Sequence, residues 1–201
     1  MPASALDIVT APSTRNEDPV VEAHLLERIA VGRERAAFDA FYTLYYARLE
    51  RFIRRMVHGD EDVQEIINDT LYVVWDRAST FNGTSKPSTW VFGIAFRKAR
   101  ASLSRRYAQP PVTDGEVEEA GDGGAWFGQV EADDWLEYAL ARLSPEHRAV
   151  VELVYHQGLH YREIAEILDC PVDTVKTRMF YARARLKDAL RRAENADPGR
   201  P

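Results

Sequence analysis

The sequence predicts an all-α fold that consists of two small helical domains joined by a flexible acidic linker. From about residue 20 onwards, apolar residues recur three and four positions apart, which is the period of an amphipathic helix. No segment shows the alternation of apolar and polar residues that is typical of a half-buried strand. The charges are sorted along the chain into cationic, anionic and again cationic stretches, and this pattern separates the two domains.

The composition sets the broad class of the protein. With 201 residues, 45% of them hydrophobic, the chain can bury two small apolar cores. The single cysteine, Cys170, excludes an intramolecular disulfide framework. Neither a secretory signal nor the roughly 18 uninterrupted apolar residues of a membrane span is visible. We therefore expect a cytoplasmic protein with no membrane association.

The first domain is predicted over residues 21–108, after a disordered tail at 1–20 that mixes Pro, Ser, Thr and charge without a period. Its first long helix carries an apolar stripe of core residues: Phe38, Phe41, Tyr42, Tyr45, Leu49, Phe52, Ile53 and Met56. Gly59 ends that helix, and the next runs from about Asp62 to Ala78. Its buried face contains Val63, Ile66, Ile67, Leu71 and Val74, which leaves an acidic face exposed.

A loop and a basic helix complete the first domain. Asn82 and Gly83 indicate a turn, and Ser88 is expected to cap the helix that follows. All charged residues from Lys86 to Arg106 are cations: Lys86, Arg97, Lys98, Arg100, Arg105 and Arg106. The segment therefore presents positive charge among aromatic side chains, although Trp90 fits a core position equally well.

Residues 109–133 are predicted to be the linker. From Gln109 to Glu137 the chain has nine carboxylates and no Lys or Arg, together with several glycines. An anionic tether can cover basic surfaces or follow a basic channel on a partner, and it can equally be a solvated spacer.

The second domain is predicted over residues 134–192, before a disordered tail at 193–201. Ser144 and Pro145 open a helix that continues through Tyr155. A short helix follows at 161–168, then a tight turn at 169–172, and Asp173 is expected to cap the final helix. This is the spacing of a helix-turn-helix.

The final helix has the side chains of a DNA reader. Val175, Met179, Ala182 and Leu186 are spaced to pack inward. The outward positions hold cations, hydroxyls and a phenol, which suit phosphates and base edges in a major groove. These candidate residues are Thr174, Lys176, Thr177, Arg178, Tyr181 and Arg183.

Both halves resemble the sigma-70 family of RNA polymerase sigma factors. YREIAEILDCPVDTVKTRMFYARARL, from Tyr161 to Leu186, looks like the DNA-binding part of sigma domain 4. DVQEIINDTLYVVWDRASTFNG, followed by PSTWVFGIAFRKARASL, resembles sigma domain 2. Because no domain 3 lies between them, the chain is similar to the compact extracytoplasmic-function (ECF) subgroup.

The resemblance implies a role for each surface. Asp62, Glu65 and Asp69 would dock on the clamp helices of the largest subunit of core RNA polymerase, and domain 4 on the flap of the second-largest subunit. The final helix would read the minus-thirty-five promoter element. The minus-ten element would be melted and held by a second set: Phe81, Asn82, Gly83, Thr84, Trp90, Arg97, Lys98 and Arg100. No catalytic residue, metal or cofactor is expected.

Three departures from the family pattern affect these expectations. Gln64 replaces a carboxylate that many relatives carry, and Asn68 is neutral, which predicts weaker clamp docking. Asp173 replaces a common glycine and places an anion near the expected phosphate. Phosphorylation of Thr70 or another nearby hydroxyl would restore negative charge. The free protein is expected to be a monomer, controlled by an anti-sigma factor, a kinase-type regulator or its own linker.

Other functions fit the residues less well. A helix-turn-helix regulator that acts without polymerase docking shares the second domain, but residues 24–108 show no ligand pocket or receiver pattern. A metalloenzyme is disfavoured because Gly158 separates His156 from His160 and no third ligand lies nearby. Cys170 fits a packed turn residue rather than a nucleophile. A mimic that only sequesters a regulator would not need cationic readers in both domains.

Overall fold

The computed structural model describes residues 18–57, 59–108, 139–140 and 142–196. This part of the chain contains helices and turns and no strand, which confirms the all-α prediction. The linker and the two extreme ends lie outside the described residues. The helices are α1 (Pro19–Gly32), α2 (Arg35–Arg54), α3 (Asp60–Arg77), α4 (Pro87–Ala108), α5 (Pro145–Tyr155), α6 (Tyr161–Leu168) and α7 (Val172–Ala196), with a 3-10 turn at Ala78–Thr80.

The first helix begins earlier than the sequence pattern suggested. The Asp18 side chain accepts a hydrogen bond from the backbone N–H of Val20, and Pro19 occupies the first helical turn. Residues 18–20, assigned to the disordered tail, therefore belong to the start of α1. The helix ends at Arg33, whose φ is 48°, and the Arg33 guanidinium donates to the carbonyl of Trp75 at 2.7 Å.

The aromatic stripe of α2 forms the centre of the first half. Phe41, Tyr45 and Phe52 are completely buried, and the rings of Phe41 and Tyr45 stack with centroids 4.4 Å apart. Burial of each such ring stabilises the fold by about 2 kcal/mol. Tyr42 differs from the expectation, because it is 37% exposed. The predicted apolar face of α3 is buried as expected.

The helix-turn-helix is present as predicted. The Ser144 hydroxyl caps α5, and α6 begins with a capping box in which the Glu163 carboxylate accepts from the backbone N–H of His160 at 2.7 Å. Asp169 adopts a left-handed conformation with φ 49° and reverses the chain before α7. Val175, Met179 and Ala182 are buried, and Leu186 packs against the core.

Three expected boundaries were wrong. Pro87 begins α4, so Ser88 lies inside the first turn and is buried instead of capping the helix. Val172 begins α7, so Asp173 is a first-turn residue rather than the cap. The same helix continues to Ala196 and includes residues 193–196, which were assigned to the disordered C-terminal tail.

The two halves are packed against each other, a feature that the sequence did not predict. Helix α4 lies on α6 and α2 lies on α5, and the buried apolar residues of both halves form one continuous cluster. Arg48 of α2 donates to the side-chain oxygen of Gln157 at 3.1 Å. Arg148 of α5 is 8% exposed and donates to the carbonyl of Arg55 at 2.7 Å.

No described helix combines the length and apolar character needed to cross a membrane.

Candidate nucleic-acid interface

The acidic face of α3 lies at the surface. Glu65 and Asp69 are exposed, and Asp62 is half-buried one turn earlier on the same face. The Asp69 carboxylate bonds to the Lys98 ammonium of α4 at 2.8 Å. Two residues with separate predicted roles, polymerase docking and DNA binding, are thus partners in this structure. Tyr72 continues the face by one turn and is 67% exposed, although sequence reasoning did not single it out.

Two neighbouring polar residues of α3 have structural partners. The Gln64 side-chain oxygen accepts a hydrogen bond from the Tyr46 hydroxyl at 2.9 Å. Thr70 is completely buried, and its hydroxyl donates to the carbonyl of Ile66 at 2.7 Å. A kinase cannot reach a hydroxyl in that position, so the hypothesis of phosphorylation at Thr70 was wrong. Asn68 is exposed.

The loop at residues 81–84 is a compact turn. The Asn82 side-chain oxygen accepts hydrogen bonds from the backbone N–H of Thr84 at 3.1 Å and from its hydroxyl at 2.7 Å. Gly83 has a φ of 72°, a conformation that side-chain-bearing residues rarely adopt. Asn82, Gly83 and Thr84 are exposed, whereas Phe81 is half-buried with its ring centroid 5.6 Å from that of Trp90.

The basic residues of α4 are divided between solvent and an internal partner. Arg97 and Arg100 are exposed, and Lys98 is held by Asp69. Trp90 is half-buried, which lies between its two predicted environments, core and DNA surface. An aromatic ring with one accessible part can pack in the fold and still offer a stacking edge.

The loop before α4 lies against the helix-turn-helix. The Lys86 ammonium is 2.8 Å from the Glu163 carboxylate of α6. Beside this ion pair, a cavity of about 450 Å³ lies between the loop and α6. Its lining includes Gly83, Thr84 and Glu166. Lys86, just after the predicted minus-ten loop, is therefore bound by the domain expected to read the minus-thirty-five element, while Asn82, Gly83 and Thr84 remain exposed.

The N-terminal half of α7 is more open. Lys176, Thr177 and Tyr181 are exposed, while Thr174 and Arg178 are half-buried. Lys176 donates to the Asp173 carboxylate at 2.9 Å, and this hydrogen bond, with the charge of Lys176, lowers the pKa of Asp173. The anion that seemed to oppose phosphate binding is thus partly neutralised by its neighbour.

Two arginines on α7 have different surroundings. The Arg178 guanidinium contacts the Cys170 sulfur at 3.7 Å across the turn. The Arg183 guanidinium donates to the Tyr155 hydroxyl at 3.2 Å and lies 5.9 Å from the centre of that ring. Arg183, predicted to bind DNA, is therefore bound to α5 in this structure.

A groove runs beside α7. Its volume is about 470 Å³, and it is lined by His147 of α5, by Asp173 and by four predicted DNA-binding residues: Thr174, Thr177, Arg178 and Tyr181. His147 was missed by sequence reasoning, because it lies outside the final helix and no motif marks it.

His156, one of the two histidines considered as metal ligands, lies beside a carboxylate. The His156 Nδ1 atom lies 3.0 Å from the Glu152 carboxylate, which is buried against the first half. Among residues 18–57, 59–108, 139–140 and 142–196, no three potential ligands are grouped as a metal site requires.

Comparison with known families assigns both halves. The model of sigma-70 region 2 matches residues 41–108, and that of sigma-70 region 4 matches residues 133–186. Sigma-H of Pseudomonas aeruginosa is 28% identical over 181 residues, which cover 84% of this chain and 93% of that protein. The ECF sigma-E factor of Escherichia coli is 28% identical over 171 residues, 79% and 88% of the two chains.

Solved structures share the fold. CnrH, in complex with the cytosolic domain of CnrY, is 22% identical with a TM-score of 0.62, over 85% of this chain and 97% of that one. RpoE of Bartonella quintana, in complex with the anti-sigma factor NepR, is 24% identical with a TM-score of 0.61, over 77% and 96%. Two region models in the family's order and relatives aligned over most of their length show that the chain belongs to the sigma-70 family, as an ECF-type sigma factor that binds core RNA polymerase and directs promoter-specific initiation.

Proposed function

We propose that three surfaces of this chain divide the work of initiation, within a domain 2 at residues 21–108 and a domain 4 at 134–192. Asp62, Glu65 and Asp69 dock on the polymerase clamp. The loop at 81–84 and helix α4 hold the opened minus-ten element. The start of α7 reads the minus-thirty-five element. The observation that carries the proposal is the exposure of α7, whose opposite side is fixed in the helix-turn-helix core.

Charge and exposure support clamp docking by α3. Glu65 and Asp69 offer carboxylates to solvent on one helix face, and a basic helix on the polymerase is the complementary partner. Lys98 has to yield Asp69 when the clamp binds. Gln64 is hydrogen-bonded to Tyr46. The neutral glutamine therefore lowers the negative charge of this face without disturbing its packing.

The 81–84 turn and Trp90 suit single-stranded DNA. Asn82 and Thr84 have exposed polar groups that can bond a base edge, and a ring such as Trp90 can stack on it. Stacking contributes about 1–3 kcal/mol per base. Arg97 and Arg100 supply positive charge for the backbone of the same strand.

Simultaneous reading of both elements requires the two halves to separate. The elements are about 25 base pairs apart, or roughly 85 Å at 3.4 Å per pair. A packed body of this size measures only about 40 Å across. The halves are joined by the linker at residues 109–133, and twenty-five residues extend to about 85–90 Å at most. The packed form is therefore a form of the protein that is not reading a promoter.

Regulation and location follow from the same proposal. Two proteins of this fold have been solved with a partner protein, one of them named as an anti-sigma factor, and we expect such a factor to bind the packed form here. Because core polymerase and promoters are cytoplasmic, the chain acts there, as a monomer when free. Its contribution is specificity, and the polymerase catalyses RNA synthesis.

Run-off transcription with purified core polymerase tests the proposal. The wild-type chain is expected to start RNA at discrete genomic sites. An α3 variant with Glu65→Gln and Asp69→Asn should lose core binding, whereas an α7 variant with Lys176→Ala and Arg178→Ala should bind core normally and lose promoter selectivity. Gln64→Glu should bind core about two- to threefold more tightly if charge drives docking. Start-site selection by the α7 variant identical to wild type would refute the assignment.

A further inference from the structure

The groove beside α7 contains one side chain that the family pattern does not account for. His147 is half-buried on the first turn of α5, and it faces Thr174, Arg178 and Tyr181 across the groove. These three residues belong to the proposed minus-thirty-five surface. A side chain in the same groove is within reach of whatever DNA group enters it.

A hydrogen bond to Ser144 fixes the orientation of the His147 ring. The Nδ1 atom lies 2.6 Å from the Ser144 hydroxyl oxygen, and that oxygen also accepts the backbone N–H of His147 at 3.5 Å. We assign the hydroxyl hydrogen to Nδ1, an assignment that places the ring proton on Nε2. Because Ser144 also caps α5, the ring is held by a rigid helix end and leaves Nε2–H as a donor.

The charges around the ring favour an anionic acceptor. Burial is the largest cause that lowers the pKa of His147. The positive charges of Arg178 and Arg185 lower this pKa further, and the charge of Glu146 raises it. The ring is therefore neutral at pH 7 and leaves the arginines to supply the positive charge. Asp173 is the anion in the groove lining, and Lys176 is bonded to it.

We propose that His147 is a further DNA contact of this sigma factor, and that its Nε2–H donates to a backbone phosphate of the minus-thirty-five element while Arg178 binds beside it. The proposal rests on the assignment of α7 as the minus-thirty-five reader. A phosphate fits better than a base edge, because α5 lies beside the reading helix rather than inside the groove it enters. His147 then sets the depth and register of α7 on the duplex.

The experiment measures binding of holoenzyme, made from the full chain and core polymerase, to a promoter fragment selected by that holoenzyme from a random-sequence pool. A second fragment ends just downstream of the minus-thirty-five element and lacks the upstream duplex. His147→Leu should bind the intact fragment roughly tenfold more weakly, as expected for loss of a hydrogen bond to a charged group. The shortened fragment should be bound as by wild type. His147→Gln retains an N–H donor and should recover most of the loss.

Controls separate this contact from folding and from the broader assignment. His24→Leu makes the same change on exposed α1 and should have no effect. Thermal unfolding of His147→Leu should match wild type within a few degrees. If Arg178→Ala weakens binding tenfold and His147→Leu binds like wild type, the His147 contact is refuted and the α7 assignment stands. If Arg178→Ala and Lys176→Ala both bind like wild type, the assignment of α7 as the minus-thirty-five reader is refuted, and the His147 contact is refuted with it. An altered base preference in fragments selected by His147→Leu would show a base contact and overturn the phosphate contact.

Discussion

The two proposed DNA surfaces differ in whether the other half of the chain contacts them. In the first half, Lys98 is bonded to Asp69, Lys86 lies against Glu163, and Trp90 packs on Phe81. On α7, Lys176 and Arg183 are also bonded, to Asp173 and Tyr155, but both partners lie in the same half of the chain, and Tyr181 is 55% exposed. Both surfaces were predicted from the same kind of evidence, cations and aromatic rings on a helix. The difference teaches that local sequence marks a binding surface, whereas the packing of the whole chain decides whether it is available.

The largest effect is expected from Arg148, which joins the two halves. Arg148→Ala removes guanidinium bonds to the carbonyls of Arg55 and Leu143, both largely shielded from water. The free energy of unfolding should fall by about 3 kcal/mol, measured by urea denaturation. Arg35→Ala, at a side chain that is 90% exposed, is the control and should change little. A loss below about 0.5 kcal/mol would show that the halves do not depend on this contact.

Trp90→Ala tests the proposed minus-ten surface. Loss of a stacking ring should reduce opening of the minus-ten element roughly tenfold, measured by permanganate reactivity of unpaired thymines in the holoenzyme complex. Trp90→Phe keeps a ring and should retain most of the activity. Equal opening by Trp90→Ala and wild type would assign Trp90 to the core alone.

Asp69→Asn tests whether Asp69, which is bonded to Lys98, also contacts the polymerase clamp. Loss of one carboxylate should weaken core binding roughly fivefold in a competition assay, because one ionic contact to the clamp is removed. Asp39→Asn on the exposed side of α2 is the matched control. Unchanged affinity for core polymerase would mean that Asp69 binds Lys98 and does not contact the polymerase.

Lys86→Gln should have the smallest effect. Its ion pair with Glu163, on a lysine side chain that is 44% exposed, contributes about 0.2–1 kcal/mol, so the separated population should rise by at most about fivefold. Single-molecule energy transfer between dyes at Glu27→Cys and Asp188→Cys, in a Cys170→Ser background, measures that population. Lys187→Gln, on exposed α7, should leave it unchanged.

Most of the fold could be predicted from the sequence because helix signals are local. Ser144, the 161–168 helix and the inward face of α7 follow from residues a few positions apart, and the structure agrees. The contacts between halves could not be predicted in this way, because Arg48 and Gln157 are 109 residues apart and neither belongs to a motif. The buried state of Thr70 was missed because a helical hydroxyl that bonds its own backbone looks polar in a sequence.

Several charged residues at the surface where the halves meet are also bonded within their own half. Three polar residues there have a second partner in their own half: Arg48 keeps Glu22, Arg148 keeps the carbonyl of Leu143, and Glu152 keeps His156. Glu163 likewise retains the N–H of His160 after Lys86 leaves. In the separated form proposed above, these residues would keep those bonds, which lowers the free-energy cost of parting the two halves.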